Sequence, residues 1–370
     1  MAPWYFVAAL GVALLMVIHE AGHFFAARAY GMRVTKFSIG FGPTFFRVVP
    51  EEGYFWFTTI AGKVRIRLWK HVPEKHGPTI YQVGMIPFLA YVQIAGMNPM
   101  DDHDPEDKGS YANGSLGARM VAIFGGPLAN YLFSSVFIFL SFFFGGKPFL
   151  STTVNVLEGR PAATEAKLQN GDKIVAINGQ DVKDWDAMAQ MISSHPGEPL
   201  DVVVERGKER VSARVTPANE GGKGKIGVSP AEPPSRVPVS VGEAAVFAVV
   251  EPPSLVQRQL VDMGKFIAGE VEGELTGPVG ITKQVAAVAK TGWTDLLYVL
   301  GVFSALLGAF NLMPIPGLDG GRLLFLGYEA IMRRPPNRRI EAHIHAVGIV
   351  MMLALMLWVT ANDIGLGGLK

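Results

Sequence analysis

The chain has 370 residues, 49% of them hydrophobic and only 18% charged, with a net charge of +1 at pH 7. Composition this apolar and this poor in charge excludes an ordinary soluble domain of the same length, and the charge balance gives no hint of nucleic acid as a partner. The absence of cysteine excludes disulfides, thiolate metal sites and cysteine nucleophiles, and leaves the redox compartment open.

In chain order, the first element is an apolar run over 3–29, long enough to cross a bilayer, which takes about 20 residues. Two further runs of this kind cover 120–144 and 344–360 with its flanks. A weaker one, 296–313, is thinned by glycines and reaches Asn311 near its end. The competing reading, buried core helices of a large soluble protein, fits these lengths poorly. The first run reads as a retained span rather than a signal peptide. "MAPWYF" carries no charged side chain, and cleavage near Ala26 or Ala27 would remove a histidine pair.

That pair lies in "MVIHEAGHFFAARAY", 16–30. An ionisable side chain at membrane depth costs roughly 2.5 kcal/mol or more, so His19, Glu20 and His23 need a compensating role. Together they read H-E-x-x-H. On a helix, residues four apart share a face, so both imidazoles can hold one Zn²⁺ while Glu20 is placed as a general base. Metal ligation offsets the cost directly.

Between the first two spans, 34–92 reads as β-rich, membrane-associated structure. "FSIGFGPTFFRVV" and "YFWFTTIAGKVRIRLW" are rich in β-branched and aromatic residues, with "PEEG" as a turn between them. Lys63, Arg65 and Arg67 alternate with Val64, Ile66 and Leu68, the period of a strand with one apolar face. An open sheet edge is tolerated at that depth only when protein or a water-filled cavity covers it, so this hairpin is expected to press on the helices near the cytoplasmic face. The segment 101–111 is a polar loop, in which His103 reads as a solvated residue.

From about Ser151 the character changes to a soluble α+β module. "TTVNVLEG" reads as a strand, "RPAATEAKL" as a turn into a short helix, and "GDKIVAINGQDV" as a strand ending in an Asn-Gly turn. "DWDAMAQMISSH" is an amphipathic helix, and "LDVVVERGKERVSARVTP" is a hairpin with Val211, Ala213 and Val215 facing inward. This order, centred on "PAA…A.L..GD.IVAING", resembles a PDZ domain in its circularly permuted bacterial form. The resemblance implies a module that captures extended or C-terminal peptide segments along a sheet edge. The competing reading is a β-rich spacer that binds nothing. Beyond it, "SPAEPPSRVP" is a proline-rich linker, and 244–274 reads as amphipathic helix broken near Pro252 and Pro253.

A catalytic zinc needs a third protein ligand and an open position. The metzincin extension is excluded because Ala26 and Ala29 stand where its glycine and third histidine would be. Glu51 and Glu52 lie in a turn without an apolar setting, and His343 and His345 read as interfacial. The best candidate is Asp319 in "NLMPIPGLDGGR", where Pro314 and Pro316 stop the third span and the glycines allow irregular backbone. The competing reading of Asp319 is a cap on the following helix.

At this point the chain resembles the site-2 protease family, in the branch of the bacterial regulator-of-sigma-E proteases. The residues that carry the resemblance are "HEAGH", "FGGPLANYLF", "LTGPVGI" and "NLMPIPGLDGG". It implies a zinc-dependent intramembrane endopeptidase with His19, His23 and Asp319 as ligands, Glu20 as base, and Asn130 and Asn311 near the substrate. It further implies single-pass membrane proteins as substrates, such as an anti-sigma factor, or remnant signal peptides. The chain departs from relatives in carrying one PDZ domain where tandem domains are known, and in reading "PFLAYV" at 87–92 where "GGYV" is frequent. The alternative is a catalytically inactive, membrane-anchored PDZ adaptor.

The expected fold is a polytopic α-helical membrane protein of about four transmembrane helices, with a membrane-associated β-hairpin region and an inserted α+β PDZ domain. Its segments are 1–150 with the first two spans, 151–228 as the PDZ domain, 229–292 as linker and amphipathic helices, and 293–370 with the last two spans. Arg28, Arg33, Lys36, Arg47, Lys63, Arg65, Arg67 and Lys70 follow the first span, and Arg322, Arg333, Arg334, Arg338 and Arg339 lie between the last two. The positive-inside rule makes both segments cytoplasmic, with the PDZ domain and both termini outside a bacterial inner membrane. Reporter fusions at Lys75 and Arg334 are therefore expected to read cytoplasmic and one at Asp184 outside. A cytoplasmic reading at Asp184 would overturn the orientation.

Overall fold

The computed structural model describes residues 2–59, 62–69, 78–98, 104–232, 235–270 and 276–365. The chain begins with α1 (Ala2–Ala29), which ends as Gly31 turns the backbone at φ +73° and Met32 N–H returns to Ala27 O at 2.9 Å. Four strands follow: β1 (Val34–Val49), β2 (Tyr54–Thr59), β3 (Gly62–Arg67) and β4 (Ile80–Ile94). They form one antiparallel sheet in the order β3-β2-β1-β4. Register is set by pairs such as Phe46 with Phe57 across β1 and β2, and Phe37 with Val92 across β1 and β4. The Arg65 guanidinium lies 3.4 Å from the centre of the Tyr54 ring, which leaves Val64 and Ile66 exposed on β3. Near α1, Val34 and Ile94 bury themselves with Phe24, Ala27, Ala122 and Ile123. The sheet is thus anchored on helices, as the apolar face of its strands requires. His103 lies outside the described residues.

A single 3-10 turn, Tyr111–Asn113, leads into α2 (Leu116–Gly145). The chain then builds β5 (Lys147–Phe149), β6 (Thr153–Val156), α3 (Pro161–Thr164), β7 (Asp172–Ile177), β8 (Gln180–Asp181), α4 (Trp185–Ser193), β9 (Leu200–Arg206), β10 (Glu209–Val215), β11 (Ala218–Glu220), β12 (Lys223–Lys225), β13 (Val228–Pro230) and β14 (Ser235–Val237). These strands and helices belong to a compact unit of their own, 143–240. Its main sheet runs β10-β9-β7-β6-β13 with β8 paired to β7. Alternation along β9 sends Leu200, Val202 and Val204 inward, and a register shift in β7 between Ile174 and Ala176 turns both Ile174 and Ile177 to the same core, which Ala162 of α3 and Met188 and Ile192 of α4 complete. Asp184 caps α4 by accepting from Ala187 N–H at 2.9 Å. This is the PDZ architecture that the sequence resemblance implies, with two helices covering one sheet.

The second unit comprises 1–142 and 241–370. Its later part holds α5 (Val241–Ile267), α6 (Pro278–Ala289), α7 (Trp293–Asn311), α8 (Asp319–Met332) and α9 (Arg338–Asp363). Among the described residues, four helices are long and apolar enough to cross a membrane: α1, α2, α7 and α9. The break expected at Pro252 and Pro253 is absent, because α5 runs through both. Each proline removes one amide donor, and Ser254 Oγ donates to Glu251 O at 2.8 Å in the same turn. Leu15 and Ile18 of α1, Phe137 of α2 and Leu300 of α7 form one buried cluster. Ala8 of α1 packs with Val285 and Ala286 of α6 in another. The Asp363 carboxylate at the end of α9 accepts the Gly277 and Gly280 amides, which ties α9 to the start of α6.

In the PDZ unit, one buried charge is fully partnered. The Asp172 carboxylate accepts from Arg206 Nε at 2.8 Å, Arg206 Nη2 at 2.7 Å and the Gln169 amide at 2.8 Å. The Arg206 hydrogen bonds, helped by the Gln169 amide, hold this carboxyl below its usual range against the opposing effect of burial. A depressed folded-state pKa adds stability above the unfolded pKa, and that stability is lost as pH falls through the folded value. The denaturant midpoint of an excised 143–240 fragment is therefore expected to fall below about pH 4. Asp172→Asn should lower the midpoint at pH 7 and flatten this acid dependence, as followed by far-UV circular dichroism.

Candidate metal centre

His19 and His23 lie one turn apart on α1, and both are buried. Their Nε2 atoms are 3.1 Å apart. Asp319 Oδ2 lies 3.0 Å from His19 Nε2 and 3.3 Å from His23 Nε2. Tetrahedral zinc with bonds of about 2.0–2.1 Å separates its ligand atoms by roughly 3.3 Å, so the three atoms stand on one face of such a tetrahedron. Asp319 Oδ2 is also buried without a hydrogen-bond donor, which suits an atom meant for a cation. Two imidazoles and a carboxylate are a donor set of catalytic zinc, and the residues fit the metal.

Three glycines explain how these groups meet. A Cβ at Gly22 would overlap Gly125 O, one at Gly125 would overlap Ala26 Cβ, and one at Gly126 would overlap the His23 ring. Without them α1 and α2 could not approach so closely, which is the use of small residues at membrane helix contacts. The approach also brings Ala122 O within 2.9 Å of His23 Nδ1. Nδ1–H donates there, leaving the Nε2 lone pair for a metal.

Asp319 is delivered by the irregular segment between α7 and α8. Gly317 adopts φ +96°, and its N–H donates to His345 Nδ1 at 3.0 Å. Gly348 of α9 leaves room for Pro316 O, which a Cβ would strike. His345, expected at an interface, is instead buried beneath this segment, because its ring serves the Gly317 amide. His343 is exposed and Nδ1–H donates to Arg339 O one turn back.

Glu20 points to the sheet: its Oε2 accepts Val92 N–H of β4 at 2.9 Å. The strand that meets Glu20 is therefore β4, the edge strand next to α1 in the order β3-β2-β1-β4. Asn130 is buried with Nδ2 3.2 Å from His19 Nδ1. Asn311 lies at the end of α7, where Nδ2 donates to Leu307 O at 2.9 Å in its own helix. The structure thus gathers His19, Glu20, His23, Asp319 and Asn130, and leaves the Asn311 amide engaged locally. Sequence reading missed Gly126, Ala122 O, Val92 N–H and His345. The double glycine carried a signal of close helix packing, whereas backbone groups carry none.

Gly126→Ala tests the close approach. Its Cβ must displace the His23 ring, so zinc affinity is expected to fall about tenfold or more with helical content unchanged. Metal analysis of the purified protein and circular dichroism check this.

The model of peptidase family M50 matches residues 5–355 of the chain. The zinc metalloprotease RasP of Geobacillus kaustophilus is 30% identical, with 95% of each chain covered. The regulator of sigma-W protease RasP of Bacillus subtilis is 28% identical, again over 95% of each. Among solved structures, the PDZ domain of an SdrC-like protein from Listeria monocytogenes aligns with 22% of this chain and 85% of its own, at 22% identity and a TM-score of 0.19. With a family match that runs from α1 into α9 and a cluster inside it that could hold a metal, the chain belongs to peptidase family M50 and is a multi-pass membrane zinc metalloprotease.

Proposed function

We propose that this protease cleaves transmembrane segments of single-pass membrane proteins, with His19, His23 and Asp319 as zinc ligands and Glu20 as general base. The observation that carries the reading is the convergence of these groups among membrane-spanning helices, with Glu20 against the edge of a membrane-associated strand. Bound zinc supplies Lewis-acid polarisation of water and of the scissile carbonyl. Glu20 accepts a proton from the attacking water and returns it to the leaving amine.

A transmembrane helix satisfies its own carbonyls, so a substrate must unwind before it can be attacked. The β4 edge offers partners for an extended segment. A substrate strand that takes Val92 N–H as its donor would release the Glu20 carboxylate for proton transfer. Asn311 would hold the substrate backbone once its amide leaves Leu307 O. The bilayer confines substrate to one span, and the PDZ domain would grip a peptide C-terminus or exclude bulky outer domains. The naming of the B. subtilis relative for sigma-W regulation supports an anti-sigma factor as substrate. A remnant signal peptide fits the same site chemistry. The charge bias supports a bacterial inner membrane with the PDZ domain outside.

Glu20→Gln should keep its zinc and slow cleavage of a single-span reporter by about 10²-fold or more, whereas His23→Ala should lose both metal and activity. Retained cleavage in Glu20→Gln would overturn the base assignment. Equal cleavage of a soluble, unfolded polypeptide would overturn the transmembrane substrate class.

A further inference from the structure

We propose that Asn130 is a positioning residue: its side-chain oxygen accepts the Nδ1–H of His19 and so turns the His19 Nε2 lone pair toward the metal. The inference rests on the reading of His19 as a zinc ligand. Asn130 is 0% exposed, and its backbone carbonyl accepts from Ser304 Oγ of α7 at 2.8 Å, which fixes where its side chain starts. Gly308, one turn further along α7, sits so close that a Cβ there would approach Asn130 Cβ to 3.3 Å. The side chain therefore has little freedom to leave His19.

As oriented, the amide nitrogen faces His19 Nδ1 at 3.2 Å, while the amide oxygen is buried with no donor. A neutral imidazole has one N–H and one lone pair. If Asn130 Nδ2 donates to Nδ1, the ring proton sits on Nε2, the atom 3.0 Å from Asp319 Oδ2. That tautomer donates a hydrogen bond from Nε2–H to the Asp319 carboxylate and closes Nε2 to a metal. Ligation through Nε2 requires the proton on Nδ1, and a buried Nδ1–H requires an acceptor. Rotating the amide by half a turn supplies one, and the oxygen and nitrogen ends have nearly the same shape. The rotation also gives the orphaned oxygen its donor. No donor reaches the present Oδ1 position, which is where the rotation puts the amide nitrogen.

His23 shows the same logic completed. Its Nδ1–H donates to Ala122 O, a backbone acceptor on the same helix that carries Asn130. Both proposed histidine ligands of α1 are thus oriented from α2, one by a carbonyl and one by an amide. Asn130 then acts through His19, behind the metal, and leaves the substrate contacts to other residues.

The test is zinc affinity of the full chain, by chelator competition in detergent, for wild type, His19→Ala, Asn130→Leu and Asn130→Asp. Asn130→Leu is expected to bind zinc about 10–100-fold more weakly, the usual loss for a partner of a ligating histidine. Asn130→Asp, which accepts but cannot donate when ionised, should stay within about threefold of wild type or bind more tightly. An aspartate variant as weak as the leucine variant would show that the amide donates, and would overturn the inference. So would undiminished affinity in Asn130→Leu. Full affinity in His19→Ala would instead overturn the ligand reading on which it rests. If the aspartate variant does not fold, nitrogen-15 histidine spectra of the zinc-loaded wild type decide: Nδ1–H on both His19 and His23 supports the inference, and its absence from His19 overturns it.

Discussion

The backbone contact between α1 and α2 at Gly22, Gly125 and Gly126 is the constraint on which the rest of the site depends. Hydrocarbon offers His19 and His23 no hydrogen bonds, so their partners must come from the protein. A methyl group at Gly22 or Gly125 would push the helices apart, and one at Gly126 would displace the His23 ring. The Ala122 carbonyl and the Asn130 amide would then draw away from the imidazoles. A contact without side chains is weak in itself, because lipid tails compete for it nearly as well. Its consequence is large because it sets the distance between a ring nitrogen and its acceptor, to which hydrogen bonds are steeply sensitive.

The same logic extends to the two other elements that reach the site. Asp319 arrives on a segment that cannot be a continuous helix, given Pro314, Pro316 and the left-handed Gly317. That segment is held from behind by α9, through the His345 ring and the space left by Gly348. The carboxylate is therefore positioned by a turn whose Gly317 and Leu318 amides are met by protein, which is the support that irregular backbone between spanning helices needs. On the other side, the edge of β4 spends one of its amides on Glu20. An unpaired strand edge beside a spanning helix would be costly, and the carboxylate relieves part of that cost.

The PDZ unit follows different rules. Its core alternates along strands and closes within 143–240, and its buried Asp172 is matched by Arg206 inside the same unit. With its core and this ion pair closed within the unit, a module of this kind can be inserted between two spans at little energetic risk to either part.

The sequence by itself determined the four spans, the H-E-x-x-H face, the candidacy of Asp319 and the order of the PDZ elements. Each of these is encoded in local spacing: run length against bilayer thickness, the helical repeat that puts His19 and His23 together, and the two-residue period of strands. Tertiary structure decided which groups surround them. That β4 and not an earlier strand meets Glu20 follows from sheet order, which adjacent residues do not encode. That His345 is buried follows from the packing of α9 on Gly317, although its neighbour His343 is exposed on the same helix. That α5 continues through Pro252 and Pro253 shows a local breaker overruled, since a helix lacking two donors survives when the remaining bonds and its packing outweigh them. The partners of His19 and His23 were illegible for a plainer reason. A carbonyl is the same at every position of a chain, and only the meeting of two helices gives the one at Ala122 a role.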